Sequence, residues 1–440
     1  MMQKNRNRPG YKKTKVGWIP EDWEICRASD VLDVRDGTHD TPKKTDMGVL
    51  LITSKNIIHG QIDASNCYCI SEKDAFLVNK RSAVAKGDIL MSMIGTVGES
   101  ALVDTPPNFC IKNVGLFKSN ESRLYSRHLI KYFHSNSSRR AIHQASNGGI
   151  QKFISLTGLR QLPIPLPPLP EQKAIAGVLE CWDKVIRNYE KKIEKKRNTK
   201  KGLMQRLLSG KQRLPGFSGE WKETTFGETF SFLKTYAFSR EQLTISQSAG
   251  CNIHNIHYGD LHATYEECML DCAKEKRIPL LRNGADLPPT TAFLEEGDVV
   301  IADASEDYEG VCACVELRNV GSKKITGGLH TFVARDAAGK TAKGYRGYVL
   351  KELAVSRELK RIATGVSVHG VSKTNLAKVK LAVSSLQEQQ AIATVLSAAD
   401  SEIKALERKL AVLKDQKRFL LNNLVTGTLR LPQFAATENK

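Results

Sequence analysis

Residues 171–179 (Glu-Gln-Lys-Ala-Ile-Ala-Gly-Val-Leu) return at 388–396 as Glu-Gln-Gln-Ala-Ile-Ala-Thr-Val-Leu, with seven of nine positions identical. Each copy opens a heptad-patterned stretch and closes on Arg-Leu-Pro, at Arg213-Leu214-Pro215 and Arg430-Leu431-Pro432. One spacing of 217 residues therefore holds from 171 to 388 and from 213 to 430. Loops absorb insertions and long helices do not, so the part of a tandem repeat that keeps its length is its structural element.

At heptad spacing the first copy reads Ile175, Leu179, Trp182, Ile186, Tyr189, Ile193, Lys196, Lys200, Leu203 and Leu207. The second reads Ile392, Leu396, Ala399, Ile403, Leu406, Leu410, Leu413, Lys417, Leu420 and Leu424. Alternating steps of four and three are those of a coiled-coil seam. Pro170 suits a first helical turn, Ser385 with Glu388 forms an S-x-x-E capping box, and Gly210 and Gly427 mark helix ends. Each helix would approach 40 residues, roughly 55–60 Å at 1.5 Å per residue. Such a stripe needs a partner, and the simplest is the other helix of the same chain, in either orientation; packing on the helix's own domain is the alternative. Lys196 and Lys200 lie on the seam and are expected to set register or partner choice, whereas most of Lys191, Lys192, Lys195, Arg197 and Lys201 are expected to be solvated on its flanks, with contact to a polyanion or to an acidic partner face as the alternatives.

The segments before the helices, 17–166 and 215–383, carry short apolar runs and Gly-Asp or Asn-Gly turns, the pattern of mixed α/β domains. Both begin with aromatic residues (Trp18 and Trp23; Phe217 and Trp221). Both later carry a Gly-Asp-apolar strand start, at Gly87-Asp88-Ile89-Leu90 and Gly297-Asp298-Val299-Val300. The offset between copies grows from 198 at Trp23 and Trp221 to 210 at the Gly-Asp pairs and 217 at the helices. A shared scaffold with loops of different length fits two readers of different targets. The expected division is 1–168, a first reading domain; 169–210, its helix; 211–384, a second reading domain; 385–427, its helix; and 428–440, a tail.

A formal net charge of +19 calls for a polyanionic partner, and without lipidation or amphipathic membrane signals nucleic acid is the best candidate. No signal peptide or stretch of roughly 18 apolar residues occurs, so a cytoplasmic protein with no membrane association is expected, its ten cysteines reduced. Cys67-Tyr68-Cys69, Cys268 with Cys272, and Cys312-Ala313-Cys314 lack zinc-ligand spacing. Cys-x-Cys is expected to place both thiols on one strand face as core residues, with no metal and no cofactor.

Catalytic patterns fail in turn. Gly339-Lys340-Thr341 lacks the glycine five residues upstream of a phosphate loop, where Ala334 stands; no Asn-Pro-Pro-aromatic methyl-transfer motif occurs; and Glu190-x-Lys192 lies on the coiled coil. A non-catalytic protein is expected.

Several stretches together resemble the specificity subunit of type I restriction-modification systems. Ile164-Pro165-Leu166-Pro167-Pro168-Leu169-Pro170-Glu171-Gln172 before an Ala-Ile-Ala helix is similar to that family's approach to its first spacer helix, and Leu386-Gln387-Glu388-Gln389 to the second. Asp36-Gly37-Thr38-His39-Asp40-Thr41-Pro42, Gly87-Asp88-Ile89-Leu90, Gly95-Thr96-Val97-Gly98, Tyr236-Ala237-Phe238-Ser239 and His330-Thr331-Phe332-Val333 resemble target-recognition-domain motifs. The resemblance covers nearly the whole chain. It implies an α+β fold: two mixed α/β target recognition domains joined by two long helices in an antiparallel coiled coil, a pseudo-two-fold repeat with the reading heads at opposite ends. It also implies double-stranded DNA, two modification (methyltransferase) subunits and restriction (translocase/nuclease) subunits as partners. Two near-equivalent helices agree with two docking surfaces for one partner type, and two unlike readers with a split, asymmetric DNA site. The second copy departs at Ala382-Val383-Ser384-Ser385, which replaces the proline-rich approach, and at Ala399, which matches Trp182.

Base edges are read by polar side chains and phosphates are bound by Lys and Arg. The DNA-binding candidates of the first domain are Asp36, Gly37, Thr38, His39, Thr41, Lys43, Lys44, Lys55, Asn56 and Thr96, with Asn147, Gln151 and Lys152 in the glycine-rich turn 146–152. Those of the second are Lys234, Tyr236 and Arg240, then Thr364, Ser367 and His369 in the matching turn 364–370, and Lys373. The competing readings are a basic coiled-coil scaffold for acidic protein partners and the recognition half of a fused restriction-methylation enzyme.

Overall fold

The computed structural model describes residues 9–149, 151–246, 252–265, 267–282, 287–308, 310–365 and 367–435. The chain divides into two compact units, Met1–Glu190 with Arg408–Lys440, and Lys191–Glu407. Both boundaries fall inside long helices, Leu169–Leu207 and Leu386–Leu424, each 39 residues and each starting and ending 217 residues from its copy.

Every seam position named from the sequence is buried or half-buried. Within the first unit Lys414 pairs with Glu190 and Lys417 with Asp183; within the second, Lys196 pairs with Glu402 and Lys200 with Asp400. As the number rises along one helix it falls along the other, so the helices run antiparallel in each unit. The seam lysines are thus explained: Lys200 and Lys417 are repeat equivalents, as are Asp183 and Asp400, and each lysine takes the other copy's aspartate. Lys131 adds a second cation to Asp183 at 2.6 Å, and the Tyr348 hydroxyl donates to Asp400 at 2.6 Å.

The repeated Glu-Gln pair is buried because it anchors each helix start. Glu171 accepts from Arg430 (Nε 3.0 Å, Nη2 2.7 Å) and from the Trp23 indole at 3.1 Å. Glu388 takes a two-pronged contact from Arg213 at 2.6 and 2.7 Å. Gln172 accepts from the Tyr125 amide at 2.8 Å and donates to the carbonyls of Arg123 and Pro167; Gln389 accepts from the Ala342 amide at 2.8 Å and donates to those of Lys340 and Ser384. Apart from Trp23, which has no counterpart at Glu388, these partners match at 217, so each head is closed by the start of its own helix and the end of the other. The helix-end glycines complete the joint with left-handed backbone, Gly427 (φ +66) against Pro20 and Trp23, Gly210 (φ +68) under the Trp221 ring. Ser385 caps the amide of Glu388 at 3.3 Å, but Glu388 spends its carboxylate on Arg213, so the expected capping box is half formed.

The heads share a sheet order. In the first unit antiparallel strands run Val34–Asp36, Val114–Phe117, Ile89–Ser92, Ser100–Leu102; in the second Ser231–Leu233, Thr331–Arg335, Val299–Ala302, Cys314–Arg318, with Met269–Asp271 added in parallel at the edge. A second sheet in each is built around a parallel pair, Val49–Thr53 with Phe109–Lys112 and Ile253–Ile256 with Lys324–Gly327. The Gly-Asp aspartates are buried and structural: Asp88 binds Lys118 and Asp298 binds Arg335, each at 2.6 Å. Gly339-Lys340-Thr341 is a structural turn whose Thr341 hydroxyl donates to Asp336 at 2.6 Å.

The cysteine expectation needs correction. Cys67 lies in a turn before the strand Tyr68–Ile70, and Cys312, left-handed at φ +61, lies outside Cys314–Arg318, so neither pair shares a strand face. A left-handed residue cannot extend a pleat.

In the second head Glu316 is buried beside Arg346, its carboxyl taking the amides of Gly344 and Gly347, and burial raises it to about 7. The folded value lies above the unfolded one near 4.5. Its contribution is therefore complete below about pH 4.5 and lost as pH rises through about 7. The melting point of the second unit is expected to fall between pH 5.5 and 8, and Glu316→Gln to flatten that slope; an unchanged slope in the variant would reject Glu316 as its source.

Candidate nucleic-acid interface

Sequence candidates far apart in the chain converge on one face of the first unit. The Ser54 hydroxyl donates to the Asn113 carbonyl at 2.6 Å and accepts from the Met93 amide at 3.1 Å, which joins the Lys55 turn to the strand end leading to Thr96. Ile94 bridges Phe153, and Gly95 donates to the Lys152 carbonyl, so Thr96 lies beside the glycine-rich turn. His39 reaches the same place, its Nδ1 2.8 Å from Asn113 Oδ1.

The two polar turns are built alike. Asn147 and Phe153 exchange backbone hydrogen bonds, as do their repeat equivalents Thr364 and Gly370. Ile154 docks on Met93 and Val371 on Asp303 in the same way. Gly148 (φ +97) and Gly365 (φ +122) are needed, because a Cβ would meet the carbonyl oxygens of Gln151 and Val368. Asn147, Gln151, Lys152, Thr364 and Ser367 are exposed and His369 half-buried; Ile150 and Val366 of these turns lie outside the described residues.

Three candidates are inside instead. Asp36 is buried between Arg81 and His39. Asn56 is buried, its Oδ1 accepting from the Thr53 amide and hydroxyl and its Nδ2 donating to the Asp63 carbonyl. Gly37 packs where a Cβ would sit 2.5 Å from the Ile111 oxygen. They support the loop and cannot meet a base, because their polar groups are already satisfied within the fold. Thr38 is tied to Lys112 by a backbone bridge and Thr41 accepts from the Lys112 ammonium; Lys44 lies 5.0 Å from the Tyr68 ring centre, and Lys43 and Lys55 are exposed.

In the second unit Tyr236 donates its amide to Gly327, and Lys234 stands over its ring at 5.6 Å. Arg240 reaches Asp260 at 3.4 Å. Lys373 lies over the rings of Phe232 and Phe332, an aromatic seat that holds its charge by cation–π attraction. The strand His369–Gly370 pairs with Ala304–Ser305, next to a group of aromatics and histidines of which only His369 was a candidate from the sequence: Tyr258 lies edge-on to His330 at 5.5 Å, and Tyr308 edge-on to His369 at 5.3 Å. His330 Nδ1 is 3.2 Å from Asp303 Oδ1, whose carboxyl burial pushes up against the pull of the ring. The available signal was the 217-residue register, which sets His330 opposite Asn113. Among the described residues no group of three or more His, Cys, Asp and Glu is placed to hold a metal, and no helix is long and apolar enough to cross a membrane.

Comparison with known proteins agrees with this architecture. Residues 20–197 and 295–415 match the family model described as the type I restriction modification DNA specificity domain. A Methanocaldococcus jannaschii protein given as a candidate type I restriction enzyme specificity subunit, MjaX, is 24% identical over 448 residues, 96% of this chain and 97% of its own length. The EcoBI specificity subunit of Escherichia coli is 25% identical over 196 residues, 43% of this chain and 41% of its own. Among solved structures, a chain from a study of type I restriction-modification complex assembly superposes with a TM-score of 0.59 at 16% identity, covering 93% of this chain and 99% of that one. The HsdS subunit from Thermoanaerobacter tengcongensis does so with a TM-score of 0.51 at 18% identity, over 93% and 98%. With the family model spanning most of the chain and both heads built to one plan, the chain belongs to the type I restriction-modification DNA specificity family.

Proposed function

We propose that this chain is the non-catalytic specificity subunit that directs a type I complex to a bipartite, asymmetric DNA site, each head reading one half in double-stranded DNA. The observation that carries the proposal is the contrast within the repeat: the anchoring contacts match at 217 residues, while the offset between copies is 210 at the Gly-Asp pairs and 198 at Trp23 and Trp221, so the loops of the two heads differ in length. The reading residues are the exposed members of the sequence set: His39, Thr41, Lys43, Lys44, Lys55, Thr96, Asn147, Gln151 and Lys152 in the first head, and Lys234, Arg240, Thr364, Ser367 and Lys373 in the second. Two helices of equal length and matching register offer two modification subunits equivalent surfaces, and restriction subunits join that core. The assembled complex would act as a site-specific deoxyribonuclease and adenine methyltransferase, in the cytoplasm. The proposed division of the chain is residues 1–168 and 211–384 as heads, and 169–210 and 385–427 as spacer helices.

Exchange of residues 17–166 for those of a relative with another target tests the two-reader arrangement. In the complex with modification subunits, sequencing of methylated adenines is expected to show one half of the site changed and the other kept. A change in both halves rejects independent readers, and binding of acidic proteins without DNA selectivity favours the scaffold reading.

A further inference from the structure

Under the repeat, Asn113 and His330 occupy one station, the residue before the strands Val114–Phe117 and Thr331–Arg335. Both are left-handed at φ +53 although neither is glycine. Such backbone persists where the surroundings over-determine it, and it gathers at ligand sites.

Each corner also holds an imidazole tethered to an acidic side chain. In the first head His39 Nε2 lies 3.0 Å from Asp36 Oδ2, and its Nδ1 2.8 Å from Asn113 Oδ1. In the second, His330 Nδ1 lies 3.2 Å from Asp303 Oδ1. The rings stand outward, with the His39 and His330 side chains 60% and 52% exposed. A tether through one nitrogen fixes ring orientation and tautomer. With Nδ1–H donating to Asp303, His330 Nε2 is an acceptor, and Tyr258 lies edge-on to the ring. Where His39 donates from both ring nitrogens, to Asp36 and to Asn113 Oδ1, Asn113 Nδ2 keeps two donor hydrogens. Among the described residues neither Asn113 Nδ2 nor His330 Nε2 has a hydrogen-bond partner. An oriented and unpaired polar atom at the same exposed corner of both heads is suited to a base edge, where acceptors and exocyclic amino groups distinguish the pairs.

We propose that Asn113 and His330 are base-reading residues of the first and second half-sites. Asn113 donates through Nδ2 to an acceptor on a major-groove edge, and His330 accepts through Nε2 from an exocyclic amino group of adenine or cytosine. His39 and Asp303 are their positioning residues. The assignment rests on the bipartite reading above.

Glycine is the informative substitution, because it adopts φ +53 without strain and removes only the side chain. In the full chain assembled with its modification subunits, His330→Gly is expected to lower discrimination at one base pair of the second half-site about tenfold to a hundredfold, with the first half unchanged. Asn113→Gly is expected to do the converse, and neither variant to lower the melting point. His330→Asn, which exchanges an acceptor for an amide, is expected to alter the preferred base at that position. Unchanged selectivity in both glycine variants overturns the assignment. If exchange of residues 17–166 still redirects one half, the two-reader arrangement stands and only these two residues are excluded.

Discussion

Arg430→Ala is expected to destabilise the first compact unit by about 3 kcal/mol, the low end for breaking a buried ion pair. Glu171 is fully buried, and Arg430 supplies two of its three hydrogen bonds. Without the guanidinium the carboxylate keeps only the Trp23 indole and remains away from water. Removing both charges by Glu171→Gln with Arg430→Met is expected to recover most of the loss, since no uncompensated ion is left and the amide oxygen can still accept from Trp23. Three of the four tryptophans, Trp18, Trp23 and Trp182, belong to this unit, so denaturation of the full chain followed by tryptophan fluorescence reports on it. An unfolding midpoint equal to that of the parent would show that the pair does not close the head.

On the proposed bipartite reading, matched insertion of one heptad in both helices, after Asn198 and after Ser401, is expected to lengthen the unread gap of the DNA site by about three base pairs. Seven residues add about 10.5 Å of helix, and B-DNA rises about 3.4 Å per pair. The sites are chosen so that Lys196 still faces Glu402 and Lys200 still faces Asp400, and a whole heptad keeps the seam in phase. The chain passes between its two compact units only within these helices, so they are the elements able to set a spacing. Insertion in one helix alone is expected to break those pairs and abolish specific methylation. A gap unchanged by the matched insertion would remove the helices from the role of ruler.

Much of the scaffold was legible because its rules are local. A period of 3.5 residues places a seam on one face whatever lies opposite, so Ile175, Leu179, Ile392 and Leu396 could be assigned to the core from spacing alone. The glycine-rich turns were legible for a similar reason: Gly148 and Gly365 need left-handed backbone, and the repeat set them in equivalent places. The proposed reading face was only partly legible. Asp36 and Asn56 have the polar chemistry of base readers, yet they are buried and their hydrogen bonds are used within the fold. Nothing in a linear pattern separates a polar side chain that supports a loop from one that projects from it. Asn113 and His330 were passed over for the opposite reason, since backbone conformation singles them out rather than residue type.

By itself the sequence determined the duplication, the two helices with their seam and ends, the basic character and the family. Each of these rests on periodicity, spacing or composition, quantities that survive without coordinates. The tertiary structure decided which groups meet. It matched Glu171 with Arg430 and Glu388 with Arg213, gave each seam lysine the other copy's aspartate, and used the Ser54 hydroxyl to gather loops separated by tens of residues. Such contacts follow from how the chain folds back on itself, and a buried charge takes whatever partner the fold brings within hydrogen-bond reach.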